Sequence, residues 1–171
     1  MKTVVVYESM YGNTHQLAEC IGEAARTHGE AVVVPVADAS AALIADADVL
    51  IVGGPTHVHG MVSAMSRKGA VTDAPKQHLQ LDPNADGLGL REWFEHLDTA
   101  AHGRAVAFDT RYDGPVAFTG RASKSISKRL RRHGFELLAA PESFLVDKAN
   151  HLLDGETDRA RRWATEVLQA V

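Results

Sequence analysis

The chain has 171 residues, 45% apolar and 23% charged, with 18 Lys and Arg against 22 Asp and Glu and a formal net charge of −4. That length allows one domain, residues 1–171, with a well-buried core, and so mild a charge argues against nucleic acid or an anionic membrane as a partner. The single cysteine, Cys20, excludes an internal disulfide and fits a reducing compartment.

Met1-Lys2-Thr3 runs into an apolar stretch far too short for a signal sequence or a membrane span, so a cytoplasmic protein is expected. Thr3 to Tyr7 is β-branched and continuous, the pattern of a parallel strand buried on both faces. A polar turn, Glu8 to Asn13, leads to a helix from about Thr14. Leu17, Cys20, Ile21, Ala24, Ala25 and His28 form one helical face, and Gly29 is placed to end it. Ala31 to Val34 reads as a second strand, stopped by Pro35, and a short helix is expected over Ala39 to Ala45.

Asp48 to Gly53 is a third buried strand. The stretch Thr56 to Gly89 holds two prolines and several glycines without a convincing period; connections of this kind are uncommon and often functional. Part of it, Met61 to Arg67, is expected to be helical. A helix over Leu90 to Ala101 buries Leu90, Trp93, Phe94 and Leu97. Ala105 to Phe108 is the fourth strand, Arg121 to His133 a basic helix, and Phe135 to Ala139 with Ser143 to Val146 a fifth strand broken at Pro141. The last helix runs from about Asp158 to Ala170. Strict alternation of strands and helices predicts an α/β fold, a doubly wound five-stranded parallel sheet of order 2-1-3-4-5.

In such a sheet, ligands bind beyond the carboxyl ends of the strands, where strand order reverses. Three loops lie there. Glu8-Ser9-Met10-Tyr11-Gly12-Asn13-Thr14 joins a strand to a helix start, where free N–H groups and the dipole attract an anion. Ser9, Asn13 and Thr14 add side-chain donors, and Gly12 lets the backbone wrap closely. The alternative for this loop is an ordinary helix start capped by Asn13 or Thr14. It carries no Gly-Lys-Ser/Thr and no G-x-G-x-x-G. Gly53-Gly54-Pro55-Thr56-His57-Val58-His59-Gly60 permits close approach of a flat ligand; its alternate histidines have no third metal ligand nearby. Asp109-Thr110-Arg111-Tyr112, with Tyr112 able to stack on a ring, opens the third loop.

Together these loops resemble the flavodoxin family over essentially the whole chain. Tyr7 to Thr14, ending in Gly-Asn-Thr, is similar to its phosphate loop. Val52 to Gly60 resembles its Gly-Pro-Thr turn on one side of the isoalloxazine, and Phe108 to Gly120 is placed like the loop on the other side. The resemblance implies bound FMN. Its phosphate would be held by Ser9, Met10, Tyr11, Gly12, Asn13 and Thr14. Its ring would be held by Pro55, Thr56, His57, Val58, His59 and Gly60 and by Asp109, Thr110, Arg111 and Tyr112.

The implied role is an electron carrier serving a redox partner protein, with an NAD(P)H-dependent quinone or small-molecule reductase as the alternative. Two departures stand out. The chain is only mildly acidic, and its third-strand loop offers His57, His59 and Met61 where the family places aromatic clamps. The cationic run Lys124, Lys128, Arg129, Arg131 and Arg132 reads first as a solvated helix face.

Overall fold

The computed structural model describes residues 1–57, 59–75, 78–97 and 103–171. In chain order the elements are β1 (Lys2–Tyr7), α1 (Asn13–Arg26), β2 (Glu30–Pro35), a 3-10 turn (Val36–Asp38), α2 (Ala41–Ala45), β3 (Val49–His57) and β4 (Gly60–Met61). There follow α3 (Ala64–Asp73), α4 (Leu90–His96), β5 (Gly103–Tyr112), α5 (Val116–Thr119), α6 (Ala122–Arg132), β6 (Phe135–Leu137), β7 (Glu142–Val146) and α7 (Glu156–Gln169). Among the described residues, no helix is long and apolar enough to cross a membrane.

The main sheet is parallel, in the order β2-β1-β3-β5, with the fifth position filled by two pieces. β6 pairs with the start of β5 and β7 with its end. The expected order 2-1-3-4-5 is therefore present, with the fifth strand split around Pro141. The count of seven strands comes from this split and from β4, which makes a short antiparallel hairpin with β3.

Alternation along β1 sorts its side chains into two cores. Val4 and Val6 meet Ile44, Trp93, Phe94, Ile126 and Leu130 from α2, α4 and α6. Val5 and Tyr7 meet Leu17 and Ile21 of α1 and Trp163 and Leu168 of α7. Each face of the sheet is thus covered, which is why β1 and β3 read as unbroken apolar runs.

Several boundaries differ from the sequence reading, those of β3 and β5 for a tertiary reason. β3 continues past Gly53 to His57, because Gly54 and Pro55 pair with Asp109 and Thr110 of β5. The two glycines lie inside the strand rather than in a turn. A Cβ at Gly53 would overlap the Phe108 ring, and one at Gly54 would press on Leu90. β5 continues to Tyr112, because β7 pairs with it from Phe108 onward; Asp109 to Tyr112 are strand residues, not loop. α3 begins at Ala64 rather than Met61, since Ser63 and Ser66 cap each other reciprocally there. α4 ends at His96, with Leu97 already extended, and the rest of the helix expected to Ala101 lies outside the described residues.

Gly53→Ala tests the close packing beneath the carboxyl edge of the sheet. Its methyl group must displace Phe108, which is fully buried, and overpacking of this kind costs about 1–3 kcal/mol. The urea midpoint should fall accordingly, and Gly53→Ala combined with Phe108→Leu should recover part of the loss.

Candidate functional site

β1 and β3 lie side by side, and the chain leaves β1 through Glu8 into the loop that begins α1. Gly12 occupies the N-cap position of α1 at φ +89° and no side chain caps the helix. A Cβ at Gly12 would meet nothing within 4 Å, so what the position demands is the left-handed backbone rather than space. The side chains that could have capped α1 are engaged elsewhere. Asn13 Nδ2 donates to the Asn150 carbonyl at 2.8 Å, and the Thr14 and Thr110 hydroxyls share a buried hydrogen bond of 2.8 Å. Ser9 Oγ accepts from the Gly12 amide at 3.1 Å and closes the loop on itself. Among the described residues, the amides of Met10, Tyr11, Asn13 and Thr14 find no protein acceptor. The alternative of a self-capped helix is therefore not realised.

These groups border a small chamber with about 190 Å³ of empty space, lined by Ser9, Asn13, Thr14 and Thr110 among others. It opens beside a larger cleft with about 510 Å³ of empty space, and Met10, Tyr11, Pro55, Thr110 and Asn150 border both. Pro55, Thr56 and His57 at the end of β3 line the cleft together with Thr110, Arg111 and Tyr112 at the end of its neighbour β5. Val62, Ser66 and Ala70 close another side. The donor set of free amides, hydroxyls and one side-chain amide, with no cation in the loop, fits a phosphate ester held by hydrogen bonds and a helix dipole.

Several expected residues carry structural duties. Thr56 Oγ1 accepts from the Ala122 amide at 2.8 Å, at the start of α6. Asp109 is fully buried and accepts from the Ser123 amide at 2.7 Å, so it anchors the same helix start and stands outside the cleft lining. Arg111 Nη1 donates to the Tyr112 and Gly114 carbonyls and to the Thr119 hydroxyl. His59 and Gly60 belong to the tip and return arm of the β3–β4 hairpin, with His59 bridged to Gly120 instead of lining the cleft. Val58 lies outside the described residues. Tyr112 is half-exposed at the cleft mouth.

The residues that sequence reasoning missed hold the α3 side of the cleft in place. Glu8 is buried and receives Arg67 Nε and Nη2 at 3.3 and 3.2 Å on one oxygen and the Leu90 amide at 3.1 Å on the other. Arg67 also donates to Glu92 at 3.1 Å. It fits so closely that a Cβ at Gly89 would overlap its guanidinium. Burial pushes the Glu8 carboxyl above its ordinary value, against the opposing pull of the Leu90 amide and Arg67. Glu92, also raised by desolvation, ends below its ordinary value because backbone hydrogen bonds and Arg67 outweigh it.

On the other flank, the Asp82 amide donates to the Met10 carbonyl at 2.8 Å. The Asp82 carboxylate meets His15 Nδ1 at 2.9 Å, and the His15 ring stacks on Tyr7 with centroids 4.4 Å apart. Desolvation, with Asp82 nearby, pushes the Tyr7 phenol up to about 12. Asn150 is the one missed residue with a usable signal, since it lies in a polar turn directly after a strand end.

A cleft of this construction, at the carboxyl edge of a doubly wound parallel sheet and beside an open helix start, defines the class of α/β proteins that bind phosphate-bearing ligands at the strand-order switch. The family model described as Flavodoxin matches residues 5–163. The chain belongs to the flavodoxin family.

Solved structures agree in fold. Oxidised Flavodoxin 1 from Bacillus cereus is 18% identical with a TM-score of 0.67, over 100% of this chain and 99% of that one. A flavodoxin, WrbA-like protein from Agrobacterium tumefaciens is 22% identical with a TM-score of 0.56, over 98% and 95%. The rubredoxin oxygen:oxidoreductase of Desulfovibrio gigas is 19% identical with a TM-score of 0.60, over 99% of this chain but 35% of that one. No curated protein gives a significant sequence match.

Arg67→Ala leaves Glu8 as an uncompensated buried carboxylate and should destabilise the fold by about 3–5 kcal/mol at neutral pH. The sign of its pH dependence follows from the raised Glu8 value. Below that value the folded state holds a proton on Glu8, and stability is lost as pH rises through it. Removing Arg67 moves the value higher still. The deficit relative to wild type, read from urea midpoints, should therefore shrink as pH is lowered from 7 toward 5.

Proposed function

We propose that this chain binds FMN non-covalently and acts as an electron carrier between protein partners in the cytoplasm. The observation that carries the reading is the open N-terminus of α1. Its amides, unpaired among the described residues, sit at a chamber lined by Ser9, Asn13 and Thr14, and that chamber continues into a cleft lined by the carboxyl ends of β3 and β5. Bound FMN supplies a centre that takes up and releases electrons.

The residues of the chain supply the rest. Gly12 to Thr14 hold the phosphate without a cation. Pro55, Thr56 and His57, together with Thr110, Arg111 and Tyr112, hold the ring, and the free ends of His57 and Tyr112 leave the mouth accessible. Pairing of Pro55 with Thr110 and the anchoring of Thr56 and Asp109 to the start of α6 hold these strand ends in place, so little reorganisation is required when a flat ligand enters. A buried, unpaired Cys20 fits the reducing setting of this proposal.

FMN should bind at one per chain and far more tightly than riboflavin, because only FMN presents a phosphate to the α1 amides. Equal affinities by calorimetry would remove the phosphate-loop assignment. Thr14→Ala deletes a hydroxyl that lines the chamber and should weaken FMN by about 1.5–3 kcal/mol while leaving riboflavin nearly unchanged.

The carrier role has its own test. Anaerobic stopped-flow mixing of the FMN-loaded protein with excess NADH or NADPH should give slow or no bleaching. Fast bleaching followed by quinone-dependent turnover would assign the chain as a reductase instead.

A further inference from the structure

The solvent face of α6 is electrostatically unlike the rest of the chain. The helix spans Ala122–Arg132 and contains five cations and no acidic residue, in a protein of net charge −4. Lys124, Lys128, Arg131 and Arg132 stand at i, i+4, i+7 and i+8, on one exposed face. None of these four pairs with a carboxylate among the described residues; the same is true of scattered cations such as Arg26, Lys68 and Lys148, so what sets α6 apart is the gathering of unpaired charge on one face. Arg129 is differently employed, lying over the Phe94 ring at 5.8 Å.

The helix dipole accounts for cations in the last turn. It does not account for Lys124, which sits in the first turn, where a positive charge is disfavoured. An unpaired cation that weakens its own helix has no structural return.

The position of that turn supplies the reason. α6 starts at the cleft, because its first amide is held by Thr56 of the cleft wall. Immediately before it, α5 presents Phe118 at 78% exposure and Val116 at 45%. The residue that follows α5, Gly120, is bridged to His59 on the β3–β4 hairpin. An exposed aromatic residue therefore lies on the segment that joins the end of β5, which lines the cleft, to the cationic helix. That combination, an apolar anchor flanked by unpaired charge of one sign, is how a protein interface is built and steered.

We propose that α5 and the exposed face of α6 form the docking surface for an acidic electron-transfer protein, with Phe118 as the apolar contact and Lys124 and Lys128 as the steering charges. The choice of an acidic protein rests on charge complementarity, and its redox character rests on the proposed carrier function. Docking there brings the partner against the cleft mouth, where electrons would leave.

The test separates the surface from the cofactor. Isotope-labelled protein, with and without FMN, is titrated with an acidic c-type cytochrome, a basic c-type cytochrome and a short duplex DNA, and amide NMR shifts are followed. The acidic cytochrome should move the amides of 116–132 in both forms. Raising salt from about 0.02 to 0.3 M should weaken its binding at least about tenfold. Lys124→Glu with Lys128→Glu should abolish the shifts with FMN affinity unchanged, and should fold well, since an acid in the first turn favours the helix. Phe118→Ser should weaken binding while keeping the salt dependence.

Shifts confined to other surfaces, stronger binding of the basic cytochrome, or equal binding of the DNA would overturn the proposal. A chain that takes up no FMN yet shows the α5–α6 shifts would keep the surface and remove the FMN reading.

Discussion

Glu8 is the point at which the binding end of this molecule is tied together. It is the first residue after β1, it is buried, and each of its oxygens is committed to a different element. One oxygen holds Arg67 and through it α3; the other holds the first amide of α4. A carboxylate in such a place is costly to desolvate, and only a full set of donors makes it tolerable. The requirement propagates outward. Arg67 must lie flat against Gly89, Glu92 must share its charge, and the stretch after β4 must fold back over the loop that begins α1. A small apolar cluster of Met10, Val62 and Ala85 seals the same contact.

The two helix starts at this end are treated in opposite ways. α6 is closed by protein groups, with Thr56 and Asp109 accepting from its first two amides. α1 is left open, and the side chains that could have closed it are turned to Asn150 and Thr110. The first arrangement fixes the strand ends that line the cleft. The second leaves donors for a ligand. Both use the same physical fact, that the first turn of a helix has amides without intrahelical partners.

Much of this was legible in the sequence. The stripe Leu17, Cys20, Ile21, Ala24 and Ala25 marks α1 because burial on one face imposes a helical period. The apolar runs of β1 and β3 mark buried parallel strands, Gly-Asn-Thr marks the start of α1, and Gly-Gly-Pro-Thr marks the carboxyl end of β3. What was hidden depends on partners far along the chain. Asp109 to Tyr112 look like a loop because they are polar, and it is pairing with the end of β3 and with β7 that makes them a strand. Nothing local marks Arg67 as buried, since the carboxylate it pairs with lies 59 positions away. Gly53 and Gly54 resemble turn glycines until the Phe108 ring and Leu90 are placed against them. Local pattern reports which face is buried; it does not report what stands opposite.

The open start of α1 also ties the lifetime of the fold to its surroundings. Whatever anion satisfies those amides binds the folded chain and not the unfolded one, so its free concentration enters the folding equilibrium. Occupancy at a hundred times the dissociation constant adds about 2.7 kcal/mol, a large share of the stability an ordinary domain possesses. A chain newly released from the ribosome and one already charged with ligand are then unequal targets for a protease, although their sequences are the same. Supply of the ligand would govern how much of the protein persists, as well as how much of it is active.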